Sequence, residues 1–311
     1  MLSEKQLHLL SLCQIEGLNW HLLARQAQRP QGLDLLLKGE LTEISKDSNG
    51  IKKVLRVGLK RMRELETELR QRVAPARNIG AKITTVLDDD YPLNLRRIYN
   101  LPPFLFYFGQ LMPDDVRAVA VVGTRHPSKE GLVRSRKLAS MLAREGVTVL
   151  SGLALGIDTA AHEGTLAVGG RTIAVMGTGI CQIYPTGNKD LATKIIEEGG
   201  ALVSQFWPLM PPASHTFPRR NITMSGMGQG TVVIEASATS GAKMQARLAL
   251  EHGKKVFLLK SLVQNYEWAR KYLDRGAIQV DNAEAIIEKL VSPVKIRQQL
   301  EDLNQLSLNL A

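Results

Sequence analysis

Three apolar runs in this chain each end in small residues that can close on an anion. Val119–Val122 is followed by Gly123, Thr124 and Arg125. Val147–Leu150 leads into Ser151, Gly152 and then Gly156, and Thr172–Met176 into Gly177, Thr178 and Gly179. Glycines there let backbone N–H groups approach a phosphate, and a helix start favours negative charge. Further along, the irregular stretch 207–221 ends in Arg219, Arg220 and Asn221. The guanidinium fork matches phosphate oxygens, so the arginine pair reads as a phosphate clamp. Phe217 or Trp207 could stack on a base, while core packing under the proline-rich loop is the other reading for Trp207. A last anion site is the helix start at Ser240 and Gly241, with Lys243 beside it.

Acid–base and metal chemistry find less support. Asp158 and His162 are four apart on a predicted helix, so their side chains can meet. With no nucleophile evident they read as a hydrogen-bonded structural pair. Asp88, Asp89 and Asp90 are consecutive and fit a turn better than a metal site. No metal and no cofactor are expected. The glycine loops lack the spaced glycines of a dinucleotide fingerprint, and no GxxxxGK[ST] stretch occurs.

The elements that must position these residues alternate strand, loop, helix, strand. A helix is predicted over Glu130–Ala143 with Ser128 as its cap, and another over Asp190–Glu198. Strands are predicted at 82–86, Phe104–Phe108, Ala201–Phe206, Thr231–Ala236 and Lys255–Leu259. That rhythm belongs to an α/β fold with a mostly parallel sheet and helices on both faces. Its ligands lie at the carboxyl ends of the strands. Residues 1–78 carry no strand signal and read as a small all-helical domain before the sheet domain at 79–290. A short C-terminal tail covers 291–311. Within the helical part, Lys52, Lys53, Arg56, Lys60, Arg61 and Arg63 form a basic run. It reads either as a phosphate-binding helix or as a solvated face diluted by Glu64, Glu66 and Glu68.

The formal charge of +10 over 311 residues favours a polyanionic partner, although a merely basic protein would show it too. Two cysteines, Cys13 and Cys181, are too few for a disulfide framework and fit a reducing cytoplasm. No signal peptide, membrane span or membrane partner is expected.

The stretch Ser151–His162, with Val122–Arg125, Gly177–Gly179 and Tyr184-Pro185, Phe217–Asn221, and Val233–Ala236 with Ser240-Gly241, resembles the DprA/Smf family of DNA-processing proteins. Asp90-Tyr91-Pro92 and Pro102-Pro103 match the entry to the same domain, and the likeness covers about residues 80–285. The resemblance implies an extended Rossmann-like homodimer that binds single-stranded DNA. It implies help in loading a RecA-type recombinase during natural transformation, and no enzymatic activity. It further implies that Gly123, Arg125, Ser151, Gly152, Arg219, Arg220, Asn221, Ser240 and Gly241 surround the DNA backbone. This chain departs from the family pattern at Leu155, where arginine is usual, and at Ile222, where a basic residue is usual. It departs again at Gln205, Gln245 and Lys260-Ser261, and the winged helix that many members carry is not expected in the residues left.

Two other readings stand beside this one. Gly228–Thr231 followed by Glu235 partly resembles the lysine-decarboxylase-like nucleotide phosphoribohydrolases, which implies a nucleotide-binding sensor or nucleotide N-glycosidase. A scaffold for another protein, its groove vestigial, is the third.

Overall fold

Every residue of the run Ala118–Val122 is buried, which is why its sequence lacks the alternation of a half-exposed strand. Val119 and Val121 point into one apolar layer with Leu138, Leu142, Ile157 and Phe257. Ala120 and Val122 point into the other, which holds Met224, Ala246 and Leu202. The structure, a computed structural model, describes residues 2–42, 48–292, 294–296 and 298. The tail expected at 291–311 therefore falls mostly outside the described residues.

Five helices come first: α1 (Glu4–Leu12), α2 (Trp20–Ala27), α3 (Gly32–Leu37), α4 (Ser48–Leu59) and α5 (Met62–Asn78). Ser3 caps α1 through Gln6, Asn19 caps α2, and Gly17 makes the turn between them at φ +83°. Leu9, Leu12, Leu55 and Leu69 from these helices join the same apolar cluster as Phe104 and Leu202 of the sheet. The helical module thus shares a core with the sheet's antiparallel edge.

Next come β1 (Lys82–Thr85), β2 (Phe104–Gly109), β3 (Ala118–Val122), α6 (Lys129–Arg144), β4 (Thr148–Ser151), α7 (Ile157–Leu166), β5 (Thr172–Val175), α8 (Lys189–Glu197) and β6 (Ala201–Ser204). They are followed by α9 (Thr216–Met227), β7 (Gly230–Val233), α10 (Gly241–Glu251), β8 (Lys255–Leu259), α11 (Lys260–Asn265), α12 (Glu267–Leu273), β9 (Ile278–Val280) and α13 (Glu284–Ile287). Among the described residues the strands form one sheet in the order β1-β2-β6-β5-β4-β3-β7-β8-β9. Pairing is parallel from β6 to β9, while β2 runs antiparallel to both β1 and β6.

Starting at β3, the chain builds outward through β4, β5 and β6, then returns to add β7, β8 and β9 on the other side of β3. The direction of winding reverses between β3 and β7. A crevice opens at such a switch point, because the loops leaving the two strands turn to opposite faces of the sheet.

Candidate nucleic-acid interface

A cleft of about 400 Å³ lies at the carboxyl ends of β3 and β7. Gly123, Thr124 and Arg125 from the loop after β3 line one wall, Phe217 and Asn221 of α9 another, and Ser240 and Gly241 at the start of α10 a third. Ser128 accepts from the Gly131 N–H at 2.9 Å, capping α6 as its sequence position predicts. Glu235 accepts from Ser128 Oγ at 3.1 Å, and its carbonyl accepts from the Thr124 N–H at 2.7 Å. The Glu235 carboxylate thus holds the α6 start and is absent from the cleft lining.

The mouth of the cleft carries exposed charge over a ring. The Arg125 guanidinium sits 5.2 Å from the Phe217 ring centroid, and Tyr184 flanks that ring at 5.9 Å. A Cβ on Gly177 would meet the Phe217 ring at 2.5 Å, so this glycine lets the ring settle against the loop after β5. Gly179 plays a comparable packing part beneath the Trp207 and Pro208 carbonyls. Neither glycine lines the cleft.

Beneath the mouth lies a buried polar floor. Arg220 donates to the Gly152 and Val175 carbonyls, both at 2.6 Å, and to Asn221 Oδ1 at 3.0 Å. Asp158 accepts from the Gly152 N–H at 3.0 Å, so the Gly152 peptide joins the two charges. Only glycine fits there, since a Cβ would lie 2.0 Å from Arg220 Nη1. Burial holds the Asp158 carboxyl above the usual carboxylate range, against the pull of Arg220 and the Ala154 and Gly152 N–H groups. Burial likewise lowers Arg220, which stays protonated.

Several sequence expectations are corrected by this geometry. The clamp at Arg219 and Arg220 is split: Arg220 is a buried strut of the floor, and Arg219 is exposed over the Trp20 ring at 5.7 Å. Consecutive helical residues point about 100° apart, and here the two side chains leave α9 toward different partners. Asp158 and His162 do not bond to each other. Asp158 turns back to the β4–α7 loop, while His162 Nδ1 meets Thr172 Oγ1 at 2.7 Å. Burial drops the His162 pKa to about 3, with Arg220 adding to the effect.

Ser151 is fully buried, with its hydroxyl donating to the Val121 carbonyl at 2.7 Å, and does not line the cleft. Gly156 caps α7 at φ +82°, packed against the Thr124 and Arg125 carbonyls. Lys243 turns its ammonium to the Ala238 carbonyl at 3.1 Å, and it is outside the lining. Trp207 packs 4.7 Å from Phe104 and 5.8 Å from Trp20, which is the core reading of that ring. In the basic run, Lys52 and Arg56 both pair with Glu40, and Arg61 pairs with Glu64 and Glu68.

Three further groups, of which only the first lines the cleft, were not singled out as site residues by the sequence. Gln245 of α10 is buried in its wall, where Nε2 donates to Thr231 Oγ1 at 3.3 Å and Oε1 has no partner. Leu153 in the β4–α7 loop takes a left-handed φ of +59°, and Asn188 donates to its carbonyl at 2.8 Å. No local pattern marks Asn188, because its partners Leu153 and Thr159 come from distant segments, and Gln245 stood out only as a departure from the family pattern. Among the described residues no group of three or more His, Cys, Asp or Glu could hold a metal ion, and no helix is long and apolar enough to cross a membrane.

Over residues 82–291 the sequence matches the family described as DNA recombination-mediator protein A. The chain belongs to that family. It is similar to Protein Smf of Escherichia coli (strain K12), 42% identical over 202 residues, which cover 64% of this chain and 54% of that protein. It is also similar to DNA processing protein DprA of Streptococcus pneumoniae, 41% identical over 175 residues, covering 56% and 61% of the two. The match thus spans about half the length of the Escherichia coli relative. The X-ray structure of DprA from Streptococcus pneumoniae superposes with a TM-score of 0.71 at 28% identity, covering 94% of this chain and 99% of that one. A DprA structure from Helicobacter pylori, described for its single-stranded DNA binding mode, shares the fold. Its TM-score is 0.58 at 24% identity, covering 72% of this chain and 97% of that one.

Proposed function

We propose that this family member binds single-stranded DNA in the switch-point cleft and passes it to a RecA-type recombinase. In this reading residues 79–290 form the DNA-binding body, residues 1–78 a helical module against its edge, and the working unit is a homodimer. The observation that carries the reading is the Arg125 guanidinium over the Phe217 ring at the open mouth. A cation that meets phosphate, beside a ring face that meets a base, is the pairing single strands require. The loops at Gly123 and Gly241 add backbone N–H groups nearby. Contacts of this kind position a strand without reading its sequence, so little base preference is expected.

A binder without chemistry of its own fits the placement of Glu235, which is engaged with Ser128 and lies off the lining.

The test is anisotropy of labelled single strand, duplex and nucleotide against the full chain over a salt series. Salt-sensitive preference for the single strand is expected, with log affinity falling by about 0.7 per log salt for each phosphate held. Nucleotide binding with no DNA binding would overturn the reading in favour of a sensor. Recombinase filament assembly on the bound strand, faster with this chain than without it, checks the second half. Sedimentation equilibrium checks the homodimer.

A further inference from the structure

A second cleft, of about 500 Å³, lies where the helical module meets the sheet domain, lined by the α1–α2 turn, Trp20, His21, Arg72 of α5 and Arg219 of α9. Two guanidiniums line it, with the Trp20 indole between the α1–α2 turn and α9 and the Trp207 indole packed behind it. Arg219 lies 5.7 Å from the Trp20 ring and Arg72 lies 5.2 Å from the Trp207 ring, with the indoles 5.8 Å apart edge to face. Both arginines are exposed. Among the described residues neither pairs with a carboxylate, although Lys52, Arg56, Arg61, Arg136 and Arg171 all do. Stacking on an indole fixes the plane of a guanidinium and leaves its N–H edge open, the state in which the fork receives a phosphate.

The second cleft also adjoins the first. Phe217 and Arg220 face the switch-point cleft and Arg219 faces the seam, so the first turn of α9 is a wall common to both. His21 directs Nδ1 to the Leu101 carbonyl at 3.1 Å, and burial keeps it neutral beside Arg219 and Arg25. Glu16 on the rim supplies negative charge.

We infer that a single strand seated in the switch-point cleft continues over the first turn of α9 into this seam, where Arg219 and Arg72 hold further phosphates. The inference rests on the proposed DNA binding and adds the helical module to the binding path. Under it the module lengthens the occluded site, and the Trp20 ring in the cleft lining reports the strand's arrival.

The test compares oligothymidylates of about 4 and about 16 nucleotides binding to the full chain and to Arg72→Ala, Glu16→Gln and Arg125→Ala. Arg72→Ala should bind the long strand several-fold more weakly, with its salt slope reduced by about 0.7, and the short strand as the parent does. Glu16→Gln should strengthen only the long strand, an opposite sign that a folding defect in Arg72→Ala cannot imitate. Long strands should quench tryptophan emission more than short ones at saturation. Parental binding at both lengths by Arg72→Ala and Glu16→Gln, with Arg125→Ala weakened, would overturn the inference alone. Equal loss at both lengths in Arg72→Ala would overturn it as well. An Arg125→Ala chain that binds like the parent, or a parent that binds no single strand, would overturn the switch-point reading and the inference with it.

Discussion

Arg219 and Arg220 are neighbours in sequence, yet Arg220 is buried beneath the switch-point cleft and Arg219 stands over Trp20 in the seam. One is a strut and the other a free cation, so their substitutions should differ in kind.

Arg220→Ala should destabilise the fold by about 3–5 kcal/mol, because it leaves Asp158 buried without a counter-charge and the Gly152 and Val175 carbonyls without donors. Arg125→Ala, at an exposed position, should leave the thermal midpoint unchanged and lower the salt slope of single-strand binding by about 0.7. Thermal melts with anisotropy on both variants separate the two roles.

Leu155 is 51% exposed and adjoins Ala154, which lines the cleft. An arginine there, the residue usual in the family pattern, adds an exposed cation beside the cleft without disturbing the core. Leu155→Arg should raise single-strand affinity several-fold at low salt and steepen the salt slope by about 0.7. An unchanged slope would place the strand away from the β4–α7 loop.

Gln245→Leu removes the unpartnered Oε1 from the cleft wall. Stability should change by about 1 kcal/mol or less, since the lost bond to Thr231 is offset by removal of an unsatisfied acceptor. If Oε1 receives a donor from bound nucleic acid, affinity should fall about three- to tenfold, the worth of one net hydrogen bond. Isothermal titration with homopolymeric strands reads this and shows whether the loss depends on the base.

Burial lowers the His162 pKa to about 3 and the His252 pKa to about 4, from an unfolded value of 6.5. The unfolded chain therefore binds more protons below pH 6.5, and stability falls as pH drops from about 6.5 towards about 4. The slope for fully buried His162 approaches about 1.4 kcal/mol per pH unit. His252, bonded to Ser225 and Asn100 and partly open to solvent, contributes less. Melts of the parent and His162→Gln between pH 7 and 5 should converge as pH falls.

The sequence by itself determined the strand–helix alternation, the helical character of the described part of residues 1–78 and the strand ends at which the switch-point cleft opens. Those features are local: apolar periodicity, caps such as Ser128, and glycines that end runs act within a few residues. The family likeness was legible for the same reason, being carried by contiguous motifs such as Ser151–His162. What Asp158, His162, Arg219 and Arg220 do was decided only by tertiary structure. Asp158 answers to Gly152 in the β4–α7 loop, and His162 on α7 to Thr172 on β5. Arg219 answers to Trp20, nearly 200 positions away in the chain. A buried polar side chain takes whichever partner satisfies it at least desolvation cost, and that partner is set by how the elements pack in three dimensions.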